Sequence, residues 1–515
     1  MTGRGRRALI AVGTAALAAG LSGCSVGPDF LRPQAEAGAG YTPEKLASTT
    51  EAGGVSGGAA QRFLAGSDVP GQWWTLFHSK RLNAMIDEAL SANPDVDAAQ
   101  AALRQARELS YADQGAFFPT VSGTVSNTRE RMSGAATGQS GFASTFTVDT
   151  ASLSVSYPLD VFGGVRREVE SADAQAEYER FQLEATYLTL TSNVANSAVT
   201  LASLRDQIAA TENVIKSDSD QLDVMNQRFD LGAIAKSDVL TQQSALAQAR
   251  ATLPPLQKQL DQARNQLMAY LGRFPNQDKG EAFALASLRL PDKLPVSLPS
   301  KLVEQRPDVR ASEAQLHEAS ANIGVAIANQ LPQFTITGSL GTTANRFDKL
   351  FSPGTAVWSL GQSVAETVFD GGALEHRKRA AVAAYDQSAA QYRRVVLNAF
   401  EDVANALRAL QTDADTLKAQ TVAEKAASDS LELARRQYSL GAIDYLTLLT
   451  AQQAYANAVV TRVRAQAARY SDVVALFQAL GGGWWNRADV KPESQGSPDR
   501  FALPPVQEIK FSPLQ

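Results

Sequence analysis

Leu231-Gly232-Ala233-Ile234 returns as Leu440-Gly441-Ala442-Ile443, 209 residues later, and this repetition decides the fold. Leu271-Gly272 returns as Leu480-Gly481 at the same spacing, and Gly163-Gly164 as Gly371-Gly372 at 208. Nearer the start, Asn93-Pro94-Asp95-Val96 returns as Arg306-Pro307-Asp308-Val309, and Phe118-Pro119 as Leu331-Pro332, both at 213. Five landmarks in one order, with a single small gap, make the chain two copies of a unit of about two hundred residues.

Each copy reads alike. A helix follows the Pro-Asp pair, over 95–117 and 308–330. It stops at Phe118-Pro119 or Leu331-Pro332, because proline lacks a donor and disfavours helix in the residue before it. Two alternating runs come next: Val121, Gly123, Val125 and Leu153, Val155, Tyr157, Leu159 in copy one. In copy two they are Phe334, Ile336, Gly338, Leu340 and Trp358, Leu360, Val364. Period-two alternation interrupted by Gly/Ser/Thr-rich connections predicts β-hairpins over 120–160 and 333–368.

The Gly-Gly pairs end the hairpins, and proline-free helices follow over 165–229 and 373–438, each roughly 95–100 Å long at 1.5 Å per residue. Shorter helices over 236–272 and 444–480 return from them. Mostly apolar residues step by three and four, as in Leu246, Ala249, Leu253, Leu256, Leu260, Ala263 and Leu267, or Leu446, Leu449, Gln453, Ala456, Val460 and Val463. That period makes helices supercoil side by side. Pro254-Pro255 inside the first short helix predicts a bend. Residues 35–66, rich in Gly, Ala, Ser and Thr, read as a flexible tether. The proline-rich tail after Trp485 reads as irregular.

The 515 residues carry 48 Lys+Arg against 53 Asp+Glu, a net charge of −5, so there is no basic footprint for nucleic acid. One cysteine and three scattered histidines, His78, His317 and His376, leave no metal cluster and no His/Cys catalytic set. The glycine-rich points lack the Lys-Ser/Thr of a phosphate loop. An enzyme is not expected. Arg4, Arg6 and Arg7 precede a short apolar stretch that ends Leu21-Ser22-Gly23-Cys24, which reads as a secretory signal over 1–23. Organisation follows: a tether over 24–72, repeat one over 73–290, repeat two over 291–485 and a tail over 486–515.

No later run is long and apolar enough to span a bilayer as a helix, so any crossing must use a closed barrel. Four strands per chain cannot close one, since about eight are needed even for a filled interior. Their open edges are satisfied when identical chains pool strands around an axis. The fold class is therefore an α+β membrane protein: four strands per chain in a trimeric 12-stranded barrel, continued by a long α-helical coiled-coil barrel.

The ordered set of motifs resembles the TolC-like outer membrane factors, in their lipidated NodT/OprM-type branch. It runs from Cys24-Ser25-Val26-Gly27-Pro28-Asp29-Phe30 through Trp73-Trp74-Thr75-Leu76-Phe77, Phe369-Asp370-Gly371-Gly372 and Leu480-Gly481-Gly482-Gly483-Trp484. The resemblance implies the outer-membrane exit duct of a tripartite efflux pump. Its partners would be two further copies of the chain, a periplasmic adaptor and an inner-membrane RND-type transporter. It also implies diacylglycerol and an N-acyl chain on Cys24, as in a lipobox, and no other cofactor. The turns at Gly232, Ala233, Gly441 and Ala442 would meet the adaptor. Asp238, Tyr438, Leu446, Thr447 and Thr450 would form the periplasmic aperture. Thr447 is the copy-two counterpart of Asp238, and Thr450 stands where relatives often place an Asp, so the expected constriction is partly apolar, from Leu446, with one Asp238 per chain. Ser237-Asp238 is also placed to cap the helix that follows. A duct for protein secretion and a lipid-anchored scaffold without a pore are the alternatives at this level.

Overall fold

The computed structural model describes residues 25–33, 40–44, 48–133, 143–278, 280 and 283–488. The signal stretch, Cys24 and the tail beyond 488 lie outside the described residues.

The duplication extends to helix length, which differs by one residue in the first pair and not at all in the two longer ones. After α1 (Lys80–Ala92), copy one has α2 (Pro94–Gln114), α3 (Gly164–Asp230) and α4 (Lys236–Tyr270). Copy two has, after the short α5 (Pro299–Gln305), α6 (Pro307–Ala328), α7 (Ala373–Ser439) and α8 (Tyr445–Ala479). The long helices α3 and α7 each have 67 residues, and α4 and α8 each have 35. Pro94 and Pro307 sit at the first helical position, where the missing N–H costs nothing. Asn93 accepts a hydrogen bond from the Asp95 amide at 2.8 Å, capping α2.

Between the helices lies one antiparallel sheet of β2 (Thr120–Met132), β3 (Ser144–Leu159), β5 (Gln333–Ala344) and β6 (Ala356–Ala365), in that spatial order. The two hairpins therefore join at β3–β5, and β2 and β6 are free edges. Register places Val121, Val155, Gly338 and Leu360 in one row and Gly123, Leu153, Leu340 and Trp358 in the next. These large apolar residues are exposed on a single face. The opposite face presents Ser122, Thr124, Ser154, Thr337, Ser339 and Ser359, a Ser/Thr lining.

A small parallel sheet, β1 (Arg62–Ala65) on β4 (Lys293–Val296), corrects the tether expected over 24–72. Gln61 is fully buried and donates to the Pro291 carbonyl at 2.9 Å. Arg469 of α8 donates to the Gln61 side-chain oxygen at 2.8 Å, and Ser56 shares a hydrogen bond with Tyr470 at 3.0 Å. Residues 48–66 are thus strapped to the helical wall. At 254–255 the chain stays within one continuous helix, α4, which carries both prolines inside it. The largest core gathers mid-molecule, where Trp73, Phe77, Tyr470 and Phe477 pack with Leu294 and Leu302. Trp73 stacks on Phe477 with ring centroids 5.3 Å apart.

Candidate functional site: the turn region of the two helical hairpins

The sheet stands at one end of α3 and α7, and the turns to α4 and α8 stand at the other. At 1.5 Å per residue the two ends are about 100 Å apart. Both turns are built the same way. Gly232 donates to the Phe229 carbonyl and Ala233 to that of Arg228, each at 2.8 Å. In copy two Gly441 donates to Tyr438 at 3.1 Å and Ala442 to Gln437 at 2.9 Å. These paired bonds satisfy carbonyls that a helix end would leave bare. Both glycines have φ of 72°, and a Cβ at either would meet nothing within 4 Å. Backbone conformation, not space, demands glycine there.

Gly232, Ala233, Gly441 and Ala442 are all exposed. So are the leucines before them, Leu231 at 84% and Leu440 at 83%. Ile234 and Ile443 fold back into a small apolar cluster with Met225, Val239, Tyr445, Leu448 and Leu449.

The capping expectation is reversed between the copies. Ala235 occupies the N-cap of α4, with no side-chain cap, and Asp238 lies in the first helical turn. Its carboxylate still favours the positive helix end there. In copy two the cap is Asp444, whose carboxylate accepts from the Thr447 amide at 2.9 Å and the Thr447 hydroxyl at 2.5 Å. Those two bonds hold the Asp444 carboxyl below its ordinary value. Leu446, Thr447 and Thr450 share one exposed strip on α8, and the Thr450 hydroxyl donates to the Leu446 carbonyl at 2.8 Å. Tyr438 meets Tyr445 edge-on, with centroids 5.9 Å apart, and lies under the Arg228 guanidinium at 5.5 Å. Asp238 is half-buried on α4, with its charge acting on the Tyr445 hydroxyl.

Sequence reasoning passed over the contact that ties the two hairpins together. Gln242 of α4 is fully buried. Its side-chain oxygen accepts from the Tyr445 hydroxyl of α8, while its amide donates to the Asp218 backbone carbonyl of α3 at 2.6 Å. Burial, followed by the Asp218, Tyr438 and Asp238 charges, pushes the Tyr445 hydroxyl up. Burial also raises the Asp218 carboxyl. Further from the turn, Arg435 donates to Ser217 at 3.1 Å and Arg464 to Gln207 at 2.9 Å, both between hairpins. The available signal was a glutamine at the seam spacing, four residues before Leu246.

Among the described residues no group of three His, Cys, Asp or Glu could hold a metal ion, and no helix is long and apolar enough to cross a membrane. A family model described as outer membrane efflux protein matches residues 85–273 and 298–482, one block per copy. The chain is 29% identical over 470 residues to the antibiotic efflux pump outer membrane protein ArpC of Pseudomonas putida, covering 91% of this chain and 94% of that protein. It is 28% identical over 471 residues to the cation efflux system protein CusC of Escherichia coli, covering 91% and 97%. The solved structure of the outer-membrane channel OprN matches with a TM-score of 0.78 at 28% identity, over 90% of this chain and 100% of that one.

Proposed function

Because this chain belongs to the outer membrane efflux protein family, we propose that it is the outer-membrane exit duct of a multicomponent efflux pump. Three copies pool their sheets into a 12-stranded barrel, and their helical hairpins continue the conduit into the periplasm. The observation that carries this reading is the four-stranded sheet itself. It has two free edges, one greasy exposed face and one Ser/Thr face, and it is attached to helices about 100 Å long. A duct moves cargo down its bore without reacting with it, and energy comes from an inner-membrane transporter coupled through an adaptor.

The turn region is the periplasmic aperture. Leu446, Thr447 and Thr450 face the bore, and threefold symmetry makes a ring of each. Asp238 adds one carboxylate per copy, and Tyr438 braces the turn against Arg228. The exposed Leu231-Gly232-Ala233 and Leu440-Gly441-Ala442 edges meet the adaptor. Acylation of Cys24 adds a lipid anchor to the barrel's own hold on the membrane, each buried methylene contributing about 0.8 kcal/mol. Relatives named for antibiotics and for cations fit a conduit whose cargo is chosen by the transporter, and small toxic compounds are the class assigned here.

The deciding measurement is oligomeric mass in detergent combined with single-channel conductance in planar bilayers. A trimer with a steady conductance that rises in Leu446→Ala/Thr447→Ala supports the duct and its aperture. A monomer that passes no current would end the reading. Dye export restored by the gene in a deletion strain, with no polypeptide secreted, assigns small-molecule cargo.

A further inference from the structure

The outward face of β2 changes character along its length. Alternation puts Val121, Gly123, Val125, Asn127, Arg129 and Arg131 on the face that carries the apolar rows. Val125 belongs to the last row of that band, aligned through Ala151 with Thr342 and, beyond it, Ala356. Arg129 lies four residues further, about 13 Å along the strand and, with a tilt near 40°, about 10 Å above the band. That end carries the hairpin connections, away from the helices, so it points out of the cell when the protein is the duct described above.

Both arginines are exposed, and among the described residues neither makes an ion pair. Three acids lie nearby, and Arg346 pairs with one of them, Asp348. Glu130 falls on the opposite face, across from Phe146. Asp149 is 2% exposed and accepts from Asn127 at 2.6 Å. Asp348 accepts from Arg346 at 3.0 Å. Residues 133–143, which join β2 to β3, contain no acidic residue at all. Two guanidiniums, roughly 7 Å apart along the strand, thus stand at head-group depth in the duct, and the one carboxylate on their face of β2 and β3 is Asp149, a row nearer the apolar band.

We propose that Arg129 and Arg131 form a docking surface for the phosphates of phosphorylated glycolipid in the outer leaflet, one surface per copy. Guanidinium forks bind phosphate through paired charge-assisted hydrogen bonds. Partial dehydration beside the apolar band strengthens those bonds. The inference rests on the outer-membrane reading, because only there does this rim meet an outer leaflet.

The test uses the full-length trimer in detergent, titrated with diphosphoryl lipid A and read as an apparent Kd, with conductance measured on the same samples. Arg129→Gln/Arg131→Gln is expected to weaken binding roughly tenfold or more. Arg129→Lys/Arg131→Lys should fall between it and wild type, keeping charge but losing the fork. Glu130→Gln should bind as wild type does. A conducting R129Q/R131Q variant with lipid affinity within twofold of wild type overturns this inference alone. Inorganic pyrophosphate binding as tightly as the lipid overturns the lipid assignment. A wild type that conducts no ions removes the duct, and this inference with it.

Discussion

Gln242 sits in a seam otherwise filled by Met225, Val239, Leu448 and Leu449; it accepts from the Tyr445 hydroxyl, which the seam would leave orphaned, and donates to the Asp218 carbonyl of α3. Gln242→Leu leaves the Tyr445 hydroxyl buried without its acceptor, a loss of about 1–3 kcal/mol. Its melting temperature in detergent is expected to fall, and adding Tyr445→Phe should restore most of the loss. A double variant no better than the single would remove the tie from the account. Asp472 makes the opposite case, in the strapped belt. Burial first, and then the charge and hydrogen bond of Asp413, push its carboxyl up to about 7. The unfolded chain would ionise it near 3.9. Folding therefore takes up a proton between these values, and the stability held by the neutral carboxyl is lost as pH rises through that window. Asp472→Asn is expected to melt higher than wild type at pH 8 and to flatten the pH dependence between about 4 and 7. Parallel profiles for the two proteins would contradict this.

Helix α4 carries Pro254 and Pro255 and still runs unbroken for 35 residues, the same length as α8, which has Val463 and Arg464 at the corresponding positions. The carbonyls of Arg250 and Ala251 lose their helical donors to the two prolines. Pro254→Ala/Pro255→Ala regains those donors, against an intrinsic proline penalty of about 3 kcal/mol per residue. A higher melting temperature with unchanged conductance is the expected result; a lower one would mean that the prolines hold a shape the wall needs. At this scale the sequence was most readable. Gly-Gly pairs, Leu-Gly turns and prolines before strands are local backbone demands, so they mark boundaries directly. The β1–β4 sheet escaped because each strand has four residues, too few for a period, and one of them holds Pro295. The Ala235 cap and the Tyr445–Gln242 tie escaped for a different reason. A cap depends on which residue leaves helical backbone first, and a tie on which seam positions of separate hairpins come level.

The wall of helices has the same incompleteness as the sheet. Helix α6 packs on both α3 and α7, whereas α2 packs on α3 alone among the long helices. Near the sheet α3 buries Val169, Ala174 and Phe181, but α7 buries nothing from Ala373 until Tyr392. By the internal repeat, this bare stretch of α7 is where an α2 belongs, and the α2 that fits it comes from another copy. The sheet presents matching edges: every residue of β2 and β6 is exposed, while β3 and β5 between them are partly covered. A head-to-tail contact of this kind closes into a ring when its rotation divides the circle. Covalent trapping tests it. Within one chain β2 and β6 are separated by two strands, about 14 Å, beyond the reach of a disulfide. Thr124→Cys on the Ser/Thr face is combined in turn with Ser359→Cys, Gly361→Cys or Ser363→Cys on the same face. At least one pair is expected to give a ladder ending at three chains on a non-reducing gel. Monomer bands throughout the panel, from protein that still melts cooperatively, would mean that the edges do not meet and that the barrel closes in some other way.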